Sequence, residues 1–235
     1  MLTKNTILFI SDLHLSPEEP IVLNTFYYFL EHIAPDAESL YILGDFFESY
    51  IGDDDANAFT QSIIRALSRL RDCGVSIFLM HGNRDFLIGK QFAYQAGVTL
   101  ISDPAVITHH HQKIVLMHGD SLCTKDKNHQ RFRKIVSRKW IQKLFLSLPL
   151  SFRQKIAKQL RDKSMMQNRY KSREIMDVSE GTVESILKKY CAKKIIHGHT
   201  HRTMISEKRI VLGAWDKRGN YLRVDENGES EIIAV

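Results

Sequence analysis

An α/β layered fold is predicted for this 235-residue chain by two features of its apolar patterning. Short apolar runs end five times in a cluster of Asp, Asn, His and Gly. They are Ile7-Leu8-Phe9-Ile10 before SDLH, Leu40-Tyr41-Ile42-Leu43 before GDFFE, Ile77-Phe78-Leu79-Met80 before HGNRD, Ile114-Val115-Leu116-Met117 before HGD, and Ile195-Ile196 before HGHTH. Runs this short, rich in branched or aromatic residues and stopped by glycine or a polar turn, are the signature of buried strands. Between the first three lie stretches at helical spacing: Val22, Phe26, Phe29, Leu30 and Ile33, then Phe59, Ile63, Ile64, Leu67 and Leu70. Strand alternates with helix, which builds a layered sheet and gathers the loops after the strand carboxyl ends along one edge.

The remaining elements follow in chain order. Ala105-Val106-Ile107 and Ile114-Val115-Leu116 flank His109-His110-His111 and read as paired strands, so the three histidines belong to a hairpin turn rather than a metal site. From about residue 126 to 190 the chain turns helical and basic, with Ile135, Val136, Trp140, Leu144 and Leu148 near helical spacing, broken at Leu148-Pro149. We read this as a helical insert in a single domain spanning 1–235. After the fifth cluster, Met204-Ile205-Ser206, Arg209-Ile210-Val211-Leu212, Tyr221-Leu222-Arg223-Val224 and Ile232-Ile233 are short strands between Gly and Asn-Gly turns, expected to close a second, antiparallel sheet.

Composition narrows the class. With 43% hydrophobic and 26% charged residues the chain is an ordinary globular one, not disordered or collagen-like, and its length suits one core, which grows to ~250 residues before splitting. Three widely spaced cysteines without a CxxC pair argue against a disulfide framework or structural zinc and for a reducing cytosol. The first apolar run reaches Asp12 too soon for a signal peptide core. No window approaches the ~18 apolar residues of a membrane span. The net charge of +6 is unevenly placed: residues 125–173 hold sixteen Lys or Arg against Asp126 and Asp162, a local +14, which leaves −8 for the rest.

The polar clusters carry the chemistry. Any one of them could be turn chemistry alone, but five in order at one sheet edge bring together Asp12, His14, Asp45, Asn83, His118, His199 and His201. Hard oxygens with borderline imidazoles suit Mn²⁺, Fe²⁺, Co²⁺ or Zn²⁺. Asp-x-His and His-x-His place two side chains on one side of an extended segment, so each pair could grip one ion. Seven ligands suit two metals, and two ions ~3.5–4 Å apart can share a carboxylate and a water, lower that water's pKa and brace a phosphoryl displacement. Asp45 is the expected bridge. Asp85 and Asp120 are expected to orient ligands from behind, and His81 and His197 to pack or hydrogen-bond.

The order D-x-H, GDxxE, GN, HG, GH-x-H over residues 7–120 and 194–215 resembles the calcineurin-like metallophosphoesterase superfamily. The resemblance implies a β-sandwich of two mixed sheets flanked by helices, with Asp12, His14, Asp45 and His201 on one metal and Asp45, Asn83, His118 and His199 on the other. Most of that superfamily has His after the Asn, where this chain has Arg84.

GNRDF, Gly44-Asp45-Phe46-Phe47-Glu48, Ile51-Gly52-Asp53-Asp54, His118-Gly119-Asp120, Leu122-Cys123-Thr124, Phe132-Arg133 and Ile175-Met176-Asp177-Val178 are similar to one branch of it, the UDP-2,3-diacylglucosamine hydrolases of lipid A biosynthesis. That resemblance implies water attack on the α-phosphorus, release of UMP and 2,3-diacylglucosamine 1-phosphate, and two Mn²⁺ ions. It also implies Asn83 and Arg84 as catalytic residues, and Asn83, Arg84, Asp126, Ser164, Asn168, Lys171 and His199 as substrate contacts. Arg84 suits such a substrate because a guanidinium stays charged and holds phosphate oxygens in a fork. Tyr50 departs from the branch, which more often has Trp there.

In the insert, Trp140, Ile141, Leu144, Phe145, Leu146, Leu148, Leu150 and Phe152 interleave with the basic residues. Nucleic-acid binding needs charge but not this apolar content. An amphipathic cap on an anionic membrane needs both. With the substrate and pathway that the resemblance implies, the expected partners are UDP-2,3-diacylglucosamine and an anionic membrane surface, with no nucleic acid, and the expected place is the cytoplasmic face of a bacterial inner membrane, held peripherally.

Overall fold

A computed structural model describes residues 5–169, 175, 177–216 and 218–235, the side chains at 167–169 excepted. Its elements, in order, are β1 (Ile7–Ile10), α1 (Pro20–His32), β2 (Ser39–Leu43), α2 (Ala58–Asp72), β3 (Ser76–Met80), α3 (Lys90–Ala96), β4 (Val98–Ile101), β5 (Ala105–His109) and β6 (Gln112–Met117). There follow α4 (Lys127–Val136), α5 (Lys139–Leu146), α6 (Leu150–Arg169), α7 (Glu180–Tyr190), β7 (Lys194–His197), β8 (Met204–Ile205), β9 (Arg209–Val211), β10 (Asn220–Val224) and β11 (Ser230–Ala234).

Two mixed sheets face one another. One has the strand order β11-β10-β1-β2-β3-β4 and the other β5-β6-β7-β9-β8. The two-residue side-chain period of a strand sorts β1 cleanly: Ile7 and Phe9 face the layer between the sheets with Leu116, Ile196 and Leu222, while Leu8 and Ile10 face the outer layer. That outer layer is covered by α1 and α2. On α1 the buried Val22, Phe26, Phe29 and Leu30 form an apolar stripe, and Pro20 sits in the first turn, where its missing N–H costs nothing. Asn57 caps α2 by accepting from the Thr60 amide at 2.9 Å. On the far side of the second sheet, Val183 and Leu187 of α7 pack against Val115, Met117 and Ile195.

The triple histidine is a turn, as read: β5 and β6 pair antiparallel with His109 opposite Gln112, and His110 and His111 take φ of 47° and 60°. The tail departs from expectation. Only β8 and β9 enter the second sheet, and β9 runs parallel to β7. The hairpin β10–β11 instead extends the first sheet, antiparallel to β1, with Ile7 opposite Val224 and Phe9 opposite Leu222. It covers an edge of β1 that would otherwise present a row of unpaired backbone groups, and it supplies Leu222 and Val224 to the inter-sheet core.

Between the two halves stand α4, α5 and α6. Asp126 caps α4 by accepting from the His129 amide at 3.1 Å, and α4 and α5 have no fully buried residue. Helix α6 is tied to the core by Arg153, which is 2% exposed and donates to the carbonyls of Leu148 (3.0 Å) and Ile51 (2.7 Å) and to the Asp54 carboxylate.

Candidate metal centre

The polar clusters meet at the carboxyl ends of β1, β2, β3, β6 and β7. The strands β1, β2 and β7 stop by turning sharply: Asp12, His14, Asp45, His199 and His201 all have φ between 49° and 65°, a region costly for residues with a side chain and held where the surroundings over-determine it. Cross-loop bonds supply that determination. The amides of Asp12, His14 and Leu15 donate to the carbonyls of Gly44, Asp45 and Phe46 at 2.9–3.1 Å, stitching the β1 loop to the β2 loop. Gly82 joins the β3 loop to them, since a side chain there would run into the Asp45 backbone nitrogen and carboxylate.

Two clusters of ligand atoms result, each with atoms within 4.8 Å of one another: Asp12, His14 and His201, and Asp45, His118 and His199. Asn83 joins the second, its Oδ1 3.2 Å from His118 Nε2. Asp-x-His therefore does act as a pair, but His-x-His does not. His199 and His201 go to different clusters, because the chain has left the strand and the His199 backbone has turned left-handed, its amide donating to Asp12 Oδ2 at 2.8 Å. Asp45, a member of the second cluster, accepts from the Arg84 amide at 2.9 Å, and its backbone carbonyl accepts from the His14 amide of the first.

The donor set fits a divalent cation. Both ring nitrogens of His14 are buried without a hydrogen-bond partner, an arrangement that costs free energy unless something accepts the lone pair. His118 directs Nδ1 to the Leu43 carbonyl at 2.9 Å, so that Nε2 faces the cluster, the orientation usual for metal-bound imidazoles. Charges show the same need. Burial pushes the Asp45 carboxyl up, to about 6. Burial alone would lower His118, but Asp45, Asp12 and Asp120 outweigh it and hold the ring up, to about 9. Burial, together with the charge of Arg84, pushes His14 down to about 2, and burial with the charge of His118 pushes His199 down to about 3. Without a cation, His118 carries positive charge against the carboxylates, while His14 and His199 remain neutral.

The flanking residues divide. Asp85, fully buried, accepts from the amides of Phe46 (2.6 Å) and Gly82 (2.7 Å); it orients the loops that carry Asp45 and Asn83 rather than a ligand ring. Asp120 accepts from Arg133 Nε at 2.7 Å and lies 3.4 Å from His129 Nε2, so it braces α4. His81 Nε2 contacts the Ile88 carbonyl at 2.7 Å and His197 Nδ1 the Gly198 carbonyl at 2.8 Å; both are hydrogen-bonding histidines. Arg84 sits at the mouth, Nη1 bonded to Glu48 and Nε 3.4 Å from Asp45 Oδ2. Of the expected substrate contacts, Asp126 is buried at the start of α4 and Ser164 is half-buried on α6. The Asn168 side chain and Lys171 lie outside the described residues.

Three participants were not singled out from sequence. Glu48 accepts from Arg84 and also pairs with Arg161 of α6, and the His129 ring lies 5.4 Å from that of His199. Glu48 follows Asp45 by three residues in GDFFE, a signal that could have found it. Nothing local announces Arg161 or His129, which reach the site from the insert.

Comparison with known proteins agrees with this geometry. The calcineurin-like phosphoesterase family matches residues 5–203. A UDP-2,3-diacylglucosamine hydrolase from Coxiella burnetii is 48% identical, covering 97% of this chain and 96% of that protein. Proteins of the same name from Pseudomonas fluorescens and Aeromonas hydrophila are 47% and 46% identical, the first over 94% of this chain and 92% of its own, the second over 92% of both. Among solved structures, an archaeal phosphodiesterase shares the fold, with a TM-score of 0.50 at 13% identity, 98% of this chain and 99% of that one being covered. A sheet edge with two clusters of carboxylate and imidazole ligands, a family match over most of the chain and near-full-length relatives place the chain in the calcineurin-like phosphoesterase family and, within it, among the UDP-2,3-diacylglucosamine hydrolases.

Proposed function

We propose that the protein hydrolyses the diphosphate bond of UDP-2,3-diacylglucosamine to UMP and 2,3-diacylglucosamine 1-phosphate, a step of lipid A synthesis, with two Mn²⁺ ions per chain. The observation that carries the reading is Arg84: a guanidinium at the mouth of a double carboxylate-imidazole cluster, in a chain whose relatives bear that enzyme's name. Asp12, His14, Asp45 and His201 hold one ion; Asp45, Asn83, His118 and His199 hold the other. Mn²⁺ suits a set with no thiolate and with oxygen donors mixed among imidazoles. Bound ions supply a water of lowered pKa and positive charge beside the reacting phosphate.

The chain's own residues do the rest. Arg84 grips phosphate oxygens with its planar fork. The departing sugar phosphate is a better leaving group than an alkoxide, so charge neutralisation matters more than a dedicated proton donor, which accounts for arginine in place of histidine. The Asn83 amide sits between ligand and substrate roles, and Asp126, Ser164, Asn168, Lys171 and His199 hold the sugar and its phosphate.

Access from a bilayer is part of the proposal. Among the described residues no helix is long and apolar enough to cross a membrane, but Trp140, Leu144 and Phe152 on α5 and α6 are about 60% exposed amid Lys139, Lys143 and Lys155. Such a surface suits contact with anionic lipid and supports a peripheral position at the cytoplasmic face of the inner membrane. Purified protein with Mn²⁺ is expected to release UMP from UDP-2,3-diacylglucosamine in detergent micelles; absence of UMP with both metal positions filled refutes the assignment.

A further inference from the structure

Glu48 is over-subscribed. One carboxylate oxygen accepts from Arg84 Nη1, and the other meets Arg161 Nε. Two guanidiniums thus share the Glu48 carboxylate at the mouth of the metal centre, and the other acid beside them, Asp45, lies 3.4 Å from Arg84 Nε. The contact of Arg161 is close but poorly directed: its Nε is buried and makes no well-formed hydrogen bond. Burial, with the like charge of Arg84, lowers the pKa of Arg161 from its ordinary value against the pull of Glu48 and Asp45, as expected where a desolvated cation stands beside another. Arg161 belongs to α6, whose start is locked to the core by Arg153, eight residues and therefore about 12 Å earlier along the helix. The lever that carries Arg161 is fixed at its base. Ser164, half-buried, follows by three residues and so lies on the same face.

From this geometry we propose that Arg161 is a second guanidinium ligand of the substrate's diphosphate, delivered by the insert and held beside Arg84 by Glu48 until a diphosphate takes the place of that carboxylate. The inference rests on the diphosphate-hydrolase reading above and deepens it: one arginine from the core and one from the insert grip two phosphate groups. A substrate with a single phosphorus at the metals has less use for the second. When the bond to the leaving phosphate breaks, the electron pair goes to the bridging oxygen, and a guanidinium against that phosphate neutralises the charge.

The test compares Arg161→Ala and Arg161→Lys with the unmodified protein, all loaded with Mn²⁺, on two substrates: UDP-2,3-diacylglucosamine, and bis(p-nitrophenyl) phosphate, which has one phosphorus. Metal content and melting temperature are measured in parallel. Loss of a charged hydrogen bond predicts a roughly 10- to 100-fold fall in kcat/KM for Arg161→Ala on the diphosphate. The fall on the single-phosphorus diester is expected to be at least ten times smaller, and Arg161→Lys should recover part of the loss. Equal losses on both substrates, or no loss on the diphosphate, overturn the inference; the lysine variant keeps it testable if the alanine variant folds poorly. If the unmodified protein cleaves the diester but not UDP-2,3-diacylglucosamine, the proposed function falls and takes this inference with it.

Discussion

Replacing Arg153 with methionine should unfasten the insert without unfolding the core. Among the described residues Arg153 heads the fully buried side chains by size and yet is a charged one. It donates to the Leu148 carbonyl at 3.0 Å, to the Ile51 carbonyl and Asp54 Oδ1 at 2.7 and 2.8 Å, and to Asp54 Oδ2. Gly52 permits the approach: a Cβ there would lie 2.5 Å from Arg153 Nη1. The two carbonyls each lose a charge-assisted bond worth about 1.5–3 kcal/mol. Asp54, whose side chain is 58% exposed, is re-solvated, so its share is only about 0–1 kcal/mol. Methionine keeps most of the buried volume and returns about 1 kcal/mol through apolar burial. The net is about 3 kcal/mol against docking of α6, roughly a hundredfold rise in the population with the helix open. Hydrogen exchange read by mass spectrometry should then quicken about a hundredfold in the first turns of α6, with little change in β1, β2 and β3. KM for the lipid substrate should rise more than kcat falls. Unchanged exchange in α6, or equal acceleration across the central strands, would show that Arg153 does not fasten the insert to the core.

Two further outcomes follow from the metal centre. Asp45→Ala removes the carboxylate proposed to serve both ions and should lower bound metal, and kcat by roughly three orders of magnitude, the scale of several kcal/mol of lost charge stabilisation, whereas Arg84→Ala should keep its metal and lose activity only; elemental analysis beside kinetics separates them, and metal loss in the arginine variant contradicts the role given to Arg84. In metal-free protein His118 is raised from 6.5 to about 9, so its contribution is fully present below pH 6.5 and lost as pH rises through about 9, of order 3 kcal/mol. Thermal melts with chelator should fall across that window, and with Mn²⁺ bound the fall should vanish because the metal occupies the Nε2 lone pair that would otherwise take up the titrating proton.

The alternation of strand and helix, the hairpin at His109–His111 and the polar side chains gathered at the strand ends could all be read from the chain, because each rests on short-range periods. Side chains alternate every second residue in β1, and apolar positions recur at helical spacing in α1 and α2. The same local rule failed at His199 and His201. Extended backbone would have put both on one side, but a left-handed turn at the strand end sends them to separate clusters.

Where the tail strands go was equally beyond local reading. β10 pairs with β1, more than two hundred residues earlier in the chain, because that edge and that gap in the inter-sheet core exist only once the sheets have formed. Arg153 and Arg161 look like two more charges in a basic run until α6 docks and brings one against Ile51 and Asp54 and the other against Glu48. Sequence by itself determined the elements and the chemistry available at their ends, since these depend on neighbours within a few residues. Tertiary structure decided how the ligand atoms gather into two clusters, a division the family resemblance also implies, and which insert residues reach the site, since those depend on contacts closed across the whole chain.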